Sequence, residues 1–195
     1  MAEPHSVSRM GNQLSILMDD DTSRWAVPTG GGMWLVTDNA PAVVPPPDPP
    51  VDPGGAQFQF PFPVSGITDG FKTASRPTHE GVDWGGAGGQ DHPAAASGVV
   101  AWHDPYHSGW GNVVRLEHTV PGVGQVSTLY AHNVEGSVVV SVGQYVVKGQ
   151  KLAIVGNTGR SFGARSHFET WQGVAYGTCV DPVQAIPAWN AGRPV

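Results

Sequence analysis

Short apolar runs separated by glycines occupy most of the chain from residue 98 onward, and they constrain its fold more than any other feature. They are GVVAWHD (98–104), GNVVRLEH (111–118), QVSTLYAH (125–132), GSVVVSVG (136–143) and KLAIVGNTG (151–159). Runs of this length, rich in valine and bounded by turn residues, are typical of strands in antiparallel sheets. The sequence therefore predicts a mainly β fold, a compact antiparallel β sandwich or open barrel. A terminal turn of helix is predicted over 185–192.

The composition agrees with this fold class and argues against two kinds of partner. Gly (27) and Pro (18) together exceed a fifth of the 195 residues, whereas only 13% of the residues are charged. A net charge of −6 and the lack of a basic patch argue against nucleic acid. No window approaches about 18 consecutive apolar residues, so no membrane insertion is expected. The single cysteine, Cys179, excludes an internal disulfide framework.

A proline-rich stretch, PAVVPPPDPPVDPGG (41–55), marks a boundary within the chain. It cannot join a helix or the interior of a sheet, and it favours a stiff polyproline II spacer. We predict an N-terminal extension over 1–40, a linker over 41–56 and a main domain over 57–195. Within the extension, the sequence around the Gly-rich turn of 29–32 predicts two short strands, between Trp25 and Asp38. Two strands alone are marginal in water, so this extension is expected to dock on another surface.

The first candidate site residues lie in RPTHEGVDWGG, where His79 and Asp83 are four residues apart. On an extended segment an even spacing directs both side chains to the same side. One imidazole and one carboxylate are two of the three protein ligands of a typical catalytic zinc site. The same spacing also arises often by chance, so the pair alone favours neither interpretation strongly.

Two further stretches end predicted strands with polar side chains. LYAH ends with His132, and ARSHFE places Arg165, His167 and Glu169 on one face of a strand. A single strand histidine is more often a satisfied structural residue than a functional one. The second stretch presents the more polar face, and the residues alone leave its chemistry open.

The order of these elements resembles the lysostaphin-type zinc endopeptidases, which cut peptide cross-links in bacterial peptidoglycan. The elements that carry the resemblance are HEGVD, the GVVA strand, GWGN, LYAH, VGQYVVKGQ, GNTG and SHFE, from about Phe71 to Pro182. The resemblance implies an antiparallel β fold with a groove over a Zn²⁺ ion. It also implies zinc ligands at His79, Asp83 and His167, and a peptide of peptidoglycan as the substrate.

One position departs from the family pattern. The family ends its motif with two histidines separated by one residue; the second is the ligand, and the first assists catalysis together with the histidine of the YAH element. The implied catalytic residues here are His132 and, in place of the first histidine, Arg165. Arginine cannot act as a general base at neutral pH, but it can donate hydrogen bonds to an oxyanion. Glu80 and Glu169 are the acids predicted to offset its charge.

Two functions follow from this pattern. The first is zinc-dependent hydrolysis of peptide bonds in peptidoglycan, and the second is a structural or wall-binding role for a hydrolase fold impaired by Arg165. Residues 1–20 lack a signal-peptide pattern. A phage virion protein and a lysin released through holes in the membrane both fit this observation. The N-terminal extension favours the first, which predicts a location in the phage tail, with other tail proteins as partners of residues 1–40. The bond that is cut and the oligomeric state are not predicted.

The remaining histidines and several aromatic residues have more ordinary predicted roles. His118 shares a strand face with Val114 and Leu116, which predicts a place in or near the core. His103 and His107 lie in a predicted loop that could border the groove, and His5 and His92 are expected to be solvated. Four aromatic residues are interpreted equally well as lining a cleft or filling the core: Trp84, Trp102, Tyr106 and Trp110.

Overall fold

The computed structural model describes residues 4–10, 13–18, 23–28, 34–37, 57–174 and 177–195, with side chains from residue 57 onward. The chain divides into two compact units, Met1–Asp48 and Pro49–Val195. The predicted linker over 41–56 lies outside the described residues. The division into 1–40, 41–56 and 57–195 therefore stays a prediction.

The first unit contains one antiparallel sheet of four short strands. These are β1 (Pro4–Met10), β2 (Gln13–Met18), β3 (Ser23–Pro28) and β4 (Trp34–Thr37), paired in that order. The two strands predicted around the Gly-rich turn correspond to β3 and β4. The strands β1 and β2 were not predicted. They enlarge the pair to a sheet of four strands, which is less marginal in its stability in water than two strands alone.

The second unit is built mainly from antiparallel strands, which confirms the predicted fold class. The strands are β5 (Val82–Trp84), β6 (Asp91–Pro93), β7 (Gly98–His107), β8 (Gly111–Val120), β9 (Gly124–Asn133), β10 (Tyr145–Val146), β11 (Lys151–Ile154), β12 (Ser166–Gln172) and β13 (Thr178–Val180). A seven-stranded sheet has the order β10-β7-β8-β9-β12-β13, and β5 also pairs with β12. Strands β11 and β6 form a separate two-stranded sheet.

The valine-rich run over 136–143 was predicted as a strand, and that prediction is wrong. Gly136 and Gly143 adopt positive φ angles of 69° and 86°, which bend the chain at both ends of the run. Between them, Val139 N donates a hydrogen bond to Leu152 O at 2.9 Å. Strand propensity depends on a paired, half-buried surface, and among the described residues this run has no partner strand.

The two faces of the large sheet serve different purposes. Alternate residues of the central strands, such as Leu116, Tyr130 and Phe168, fill the main hydrophobic core. The opposite face carries a small cluster of Val113, Leu129 and Ala131, with Trp102 and Trp110 packed against it. Because side chains alternate along a strand, His167 and Glu169 lie on this second face, opposite Phe168.

A short helix closes the main core. Helix α1 (Pro182–Asn190) begins after Asp181, whose side chain accepts a hydrogen bond from Val183 N (2.9 Å). Ile186 and Trp189 of this helix are buried in the core, so the predicted C-terminal turn of helix is confirmed, with an earlier start. Among the described residues, no helix has the length and apolar character needed to cross a membrane.

Candidate metal centre

Strand pairing brings Asp83 and His167 together, although they are far apart in sequence. Asp83 of β5 lies directly opposite His167 of β12 in the antiparallel register. Neighbouring side chains in such a pair are close enough to interact directly. The distance from His167 Nδ1 to Asp83 Oδ1 is 2.7 Å.

His79 reaches the same point from the turn that precedes β5. Its backbone is fixed by hydrogen bonds from His79 N to Arg76 O (3.0 Å) and from Lys72 N to His79 O (2.8 Å). His79 Nε2 lies 3.2 Å from Asp83 Oδ1 and 3.1 Å from His167 Nδ1. The expected convergence of His79 and Asp83 is therefore present, but it depends on a turn and not on a continuous extended segment.

The three side chains form a buried group of potential metal ligands. His79, Asp83 and His167 are exposed by only 6%, 2% and 6%. One nitrogen or oxygen atom from each lies within 4.8 Å of the other two. Two imidazoles and one carboxylate are a common ligand set for a catalytic zinc ion.

Hydrogen bonds from the far side of each ring orient both imidazoles. His79 Nδ1 lies 2.8 Å from Gly70 O, and a carbonyl oxygen only accepts, so Nδ1 is the donor. His167 Nε2 donates to Glu169 Oε1 at 2.9 Å. The remaining ring nitrogens, His79 Nε2 and His167 Nδ1, therefore both face Asp83. Outer hydrogen bonds of this kind are usual around histidine ligands of metals.

Glu169 is fully engaged in holding His167. It is 2% exposed, and it also accepts hydrogen bonds from Trp110 Nε1 and Trp171 Nε1, each at 2.8 Å. The prediction that Glu169 offsets the charge of Arg165 is therefore wrong, because its two oxygens already have partners. The other predicted acid, Glu80, forms an ion pair with Lys72 at 3.2 Å.

The charge of the cluster depends on burial and on close hydrogen bonds. Burial alone would raise the pKa of Asp83, but hydrogen bonds from His167 and His79 outweigh it and hold that pKa well below its usual range. Burial lowers the pKa of His167, yet its hydrogen bonds to Asp83 and Glu169 raise the pKa to about 9. In the metal-free protein a proton on His167 therefore satisfies the facing acceptors.

The same arrangement fits a divalent cation. If both imidazoles are neutral, His79 Nε2, His167 Nδ1 and Asp83 Oδ1 present three lone pairs to one another at 2.7–3.2 Å. Three buried acceptors that face each other need a positive charge between them. A divalent ion held by these three residues would supply that charge and would displace the proton of His167, as metal binding to histidine generally does.

His132 lies beside this cluster, at the end of β9. Its ring centroid is 5.7 Å from that of His167. His132 Nδ1 donates to Thr158 O at 2.8 Å, which leaves Nε2 as the acceptor. Two causes lower the pKa of His132 to about 4: burial, which is the larger, and the nearby positive charge of His167. The ring is therefore neutral at pH 7, with its free nitrogen on the side of Arg165.

Arg165 lies between His132 and Asp83. Its Nη2 is 3.4 Å from His132 Nε2, and its Nε is 3.0 Å from Asp83 Oδ2. Among the described residues this buried Nε has no hydrogen-bond partner, so its contact with Asp83 is an ion pair. Asp83, which also forms an ion pair with Arg76 at 3.2 Å, is therefore the acid beside the Arg165 guanidinium.

These side chains open on one cleft of about 250 Å³. His79, His132, Arg165 and His167 line it directly, and Asp83 lies behind them. The structure therefore brings all five predicted site residues together. Sequence reasoning missed the groups that orient them: Gly70 O, Thr158 O and the indoles of Trp110 and Trp171. Two of these are backbone carbonyls outside helices and strands, and such groups carry no signal in a sequence.

The other histidines lie in the core or on strand β7. The prediction of a loop for His103 and His107 is wrong, because β7 pairs with β8 as far as His107. His118 is buried, as predicted, with hydrogen bonds to Ser97 O (2.9 Å) and Thr128 Oγ1 (2.8 Å). The prediction that His92 is solvated is wrong: it is fully buried, between Asn133 Oδ1 (2.7 Å) and Ser166 Oγ (2.8 Å). The side chain of His5, which was also predicted to be solvated, lies outside the described residues.

The aromatic residues also divide between two environments. Trp84 is buried in the main core, whereas Trp110 lines the cleft. His107 stacks on Trp110 with ring centroids 4.5 Å apart. Trp102 packs edge-on behind both rings. The cleft therefore has an aromatic wall on the side of the β7–β8 turn.

Comparison with known families gives a match to most of the second unit. The model of peptidase family M23 matches residues 77–182, which are more than half of the chain. The matched segment contains all five predicted site residues.

Two curated bacterial proteins are similar to this chain over the same region. A lipoprotein NlpD/LppB homolog of Pseudomonas aeruginosa is 32% identical over 138 residues, which are 71% of this chain and 43% of that protein. The murein hydrolase activator NlpD of Escherichia coli is 34% identical over 115 residues, which are 58% of this chain and 27% of that protein. The chain thus spans less than half the length of these relatives.

A solved structure supports the same assignment. Lysostaphin, an antimicrobial peptidase from Staphylococcus simulans, aligns with a TM-score of 0.54 and 26% sequence identity. The alignment covers 63% of this chain and 49% of that chain.

The predicted location in a phage tail is wrong. The curated relatives are a bacterial lipoprotein homolog and a bacterial murein hydrolase activator, not virion proteins. That prediction depended on a missing signal pattern in residues 1–20 and on the N-terminal extension, and neither feature specifies a location. The correction also removes the basis for expecting tail proteins as partners of residues 1–40.

Proposed function

The chain belongs to peptidase family M23, and on this premise we propose that it is a zinc-dependent endopeptidase that hydrolyses peptide bonds in bacterial peptidoglycan. The observation that carries this proposal is the buried cluster of His79, Asp83 and His167, whose free ring nitrogens face one carboxylate oxygen. Outer hydrogen bonds hold both rings so that their free nitrogens face the carboxylate. Such an arrangement of buried acceptors is destabilising unless a cation is bound between them.

The proposed metal ligands are His79 Nε2, Asp83 Oδ1 and His167 Nδ1. Three protein ligands leave one coordination position open, as in other catalytic zinc sites. When bound, a zinc ion supplies Lewis acidity, which polarises a carbonyl group and lowers the pKa of water to about 7. The protein contributes the burial of the ligands and the cleft that admits a peptide beside them.

His132 is the proposed general base. Its ring is neutral at pH 7, and its Nε2 faces the cleft because Nδ1 donates to Thr158 O. A neutral imidazole with a fixed tautomer can accept a proton from the attacking water and pass it to the leaving amine. The positive φ of His132 (60°) indicates that its position is imposed by the surrounding structure.

Arg165 is the proposed donor to the oxyanion. Its guanidinium has five N–H groups, and its charge is balanced by Asp83 at 3.0 Å. Arg165 lines the cleft and its Nη2 lies 3.4 Å from His132 Nε2, so its terminal N–H groups are the donors proposed for the oxyanion. Donors aimed at developing negative charge are among the largest contributions to catalysis of acyl transfer.

Digestion of purified peptidoglycan tests the proposal. The full chain is loaded with zinc and incubated with sacculi of several peptide compositions, and released fragments are identified by mass spectrometry. We expect new peptide termini with the wild type and none with His167→Ala or after chelation. If the zinc-loaded wild type releases no fragment from any of these sacculi, endopeptidase activity is excluded for them and the second function below is favoured.

A second function is favoured by the same arginine. Arg165 stands where the family has a histidine that assists catalysis, and its Nη2 lies 3.4 Å from His132 Nε2. A guanidinium at that position can donate a hydrogen bond to His132, but it cannot act as a general base at neutral pH. The relative from Escherichia coli is described as a murein hydrolase activator. In this alternative the chain binds the cell wall, or a hydrolase that acts on it, and does not cut peptides itself.

The division of the chain into three parts belongs to the same proposal. Residues 1–40 form an extension that attaches the domain, residues 41–56 form a stiff tether, and residues 57–195 carry the activity. The proline content of the tether supports this division, as does a boundary between compact units at Asp48 and Pro49. Limited proteolysis is expected to cut first within 41–56 and to leave a fragment that retains zinc.

A further inference from the structure

A second cavity, of about 300 Å³, lies beside the metal cleft. The turn after β7 and the loop over 158–160 form the wall between the two spaces. Arg160 N donates to Gly109 O (2.8 Å), and Asn112 N donates to Thr158 Oγ1 (2.9 Å). The wall is therefore held by hydrogen bonds on both sides, and a peptide bound at the metal can extend across it.

The second cavity has the chemistry of a site for a cation. Glu135 is its one acidic residue, and none of the described residues that line it is lysine or arginine. Glu135 is exposed and forms no ion pair among residues 57–174 and 177–195. A free carboxylate at the wall of a cavity attracts a positively charged group that enters it.

Tyr106 adds an aromatic surface to the same cavity. A register shift between Asp104 and His107 in the pairing of β7 with β8 turns Tyr106 outward, and it is 75% exposed. Its backbone is fixed by a hydrogen bond from Tyr106 N to Asp104 Oδ1 at 2.9 Å. An aromatic face together with a carboxylate is a common recognition site for an ammonium group.

The metal cleft differs in that it carries charges of both signs. Its lining contains three arginines and two glutamates: Arg76, Arg160, Arg165, Glu80 and Glu169. An amine of the substrate therefore meets arginines in the metal cleft, whereas none of the described residues that line the second cavity is lysine or arginine and Glu135 attracts the amine there.

We propose that the cavity formed by Tyr106 and Glu135 binds a side-chain amine of the peptide substrate. This proposal rests on the proposed function, because that function identifies the ligand as a peptide. It assigns to Glu135 and Tyr106 a role in substrate specificity and no part in the chemistry at the metal.

Binding measurements on the metal-free full chain test this site without any cleavage. The probes are two synthetic tetrapeptides that differ only in one residue, lysine or norleucine, which removes the amine and keeps the length. Dissociation constants are measured by calorimetry for the wild type, Glu135→Gln and Glu117→Gln. Glu117 lies on β8 in an ion pair with Arg115 and serves as the matched control.

We expect the wild type and Glu117→Gln to bind the lysine peptide about 5- to 10-fold more tightly than the norleucine peptide at low salt. Glu135→Gln should lose most of this preference and keep only the part that the Tyr106 ring contributes. Equal binding by the wild type, failure to bind either peptide, or an undiminished preference in Glu135→Gln overturns the inference. An amine preference without cleavage of peptidoglycan would instead sustain this site and reject the proposed activity.

Discussion

His167 donates a hydrogen bond of 2.9 Å from Nε2 to Glu169 Oε1, and this bond orients the proposed ligand nitrogen toward Asp83. Replacement of Glu169 by glutamine keeps the shape of the side chain but removes its charge. The new amide N–H₂ also faces the indole N–H of Trp110 or Trp171, so that two donors oppose each other. Loss of such an outer partner typically weakens metal binding by about 10- to 100-fold. We expect a loss of this size for Glu169→Gln in a zinc competition titration with a chromogenic chelator.

Glu80→Gln is the matched control for that measurement. It removes the same charge from the rim of the same cleft, but Glu80 pairs with Lys72 and does not contact a ligand. Its zinc affinity should stay within about threefold of the wild type, since exposed ion pairs contribute little. Equal losses in the two variants would contradict a specific role for Glu169.

Gly81 lies between two proposed ligands, and packing requires it to be glycine. A Cβ atom there would lie 2.5 Å from Phe168 O, 2.9 Å from His167 Cε1 and 3.0 Å from Glu169 Cγ. Gly81→Ala should therefore destabilise the fold by about 1–3 kcal/mol, as overpacking usually does, and should displace His167. Urea unfolding and zinc titration measure the two effects.

Gly86 provides the control for this substitution, because a Cβ atom at that position meets no atom within 4 Å. Gly86→Ala should change stability by less than about 1 kcal/mol, with a tendency to stabilise through the unfolded chain. If Gly81→Ala were as stable and bound zinc as well as Gly86→Ala, the close approach of β5 and β12 would not matter for the site.

His118 should make the fold sensitive to acid. Its burial lowers its pKa to about 4, whereas an unfolded chain titrates near 6.5. Because the unfolded state binds the proton more readily, stability falls as the pH drops from about 6.5 toward 4. Between pH 7.5 and pH 5 this single residue should cost about 2 kcal/mol. In His118→Gln that part of the pH dependence should be absent in urea unfolding, and an unchanged slope would reject this cause.

Arg165 distinguishes the two proposed functions. If it donates to the oxyanion, Arg165→Ala should lower kcat by about 10²–10³-fold, the usual cost of one such donor. Arg165→His should keep activity, since a histidine can also donate. Arg115→Ala, an arginine paired with Glu117 on β8, should leave the rate unchanged. Activity that is absent in the wild type and appears only in Arg165→His would favour the non-catalytic function.

The strands were predictable where glycines flank short apolar runs. Strands β7, β8 and β9 each contain a predicted strand and extend it by one to three residues at an end. The same rule failed over 136–143, because valine content does not reveal whether a partner strand exists. The short strands β5 and β13 have too few residues to give a pattern, yet β5 is the strand that carries Asp83.

The sequence predicted candidate site residues but not their supporting contacts. The motifs and the family resemblance gave His79, Asp83, His132, Arg165 and His167, which lie close together in the structure, and their roles stay a prediction. The partner of the Arg165 charge was assigned wrongly, since strand register and not spacing along the chain sets Asp83 beside it. His92 was misjudged because its partners, Asn133 and Ser166, come from distant strands.

The zinc content of the reconstituted chain tests the central claim most directly. The full chain is stripped with a chelator, incubated with excess Zn²⁺, desalted and analysed by elemental mass spectrometry and X-ray absorption. We expect one zinc per chain with nitrogen and oxygen ligands at about 2.0–2.2 Å, and we expect the metal to be lost in His79→Ala, Asp83→Ala and His167→Ala. A chain that retains no zinc, or that retains it equally in all three variants, would contradict the account.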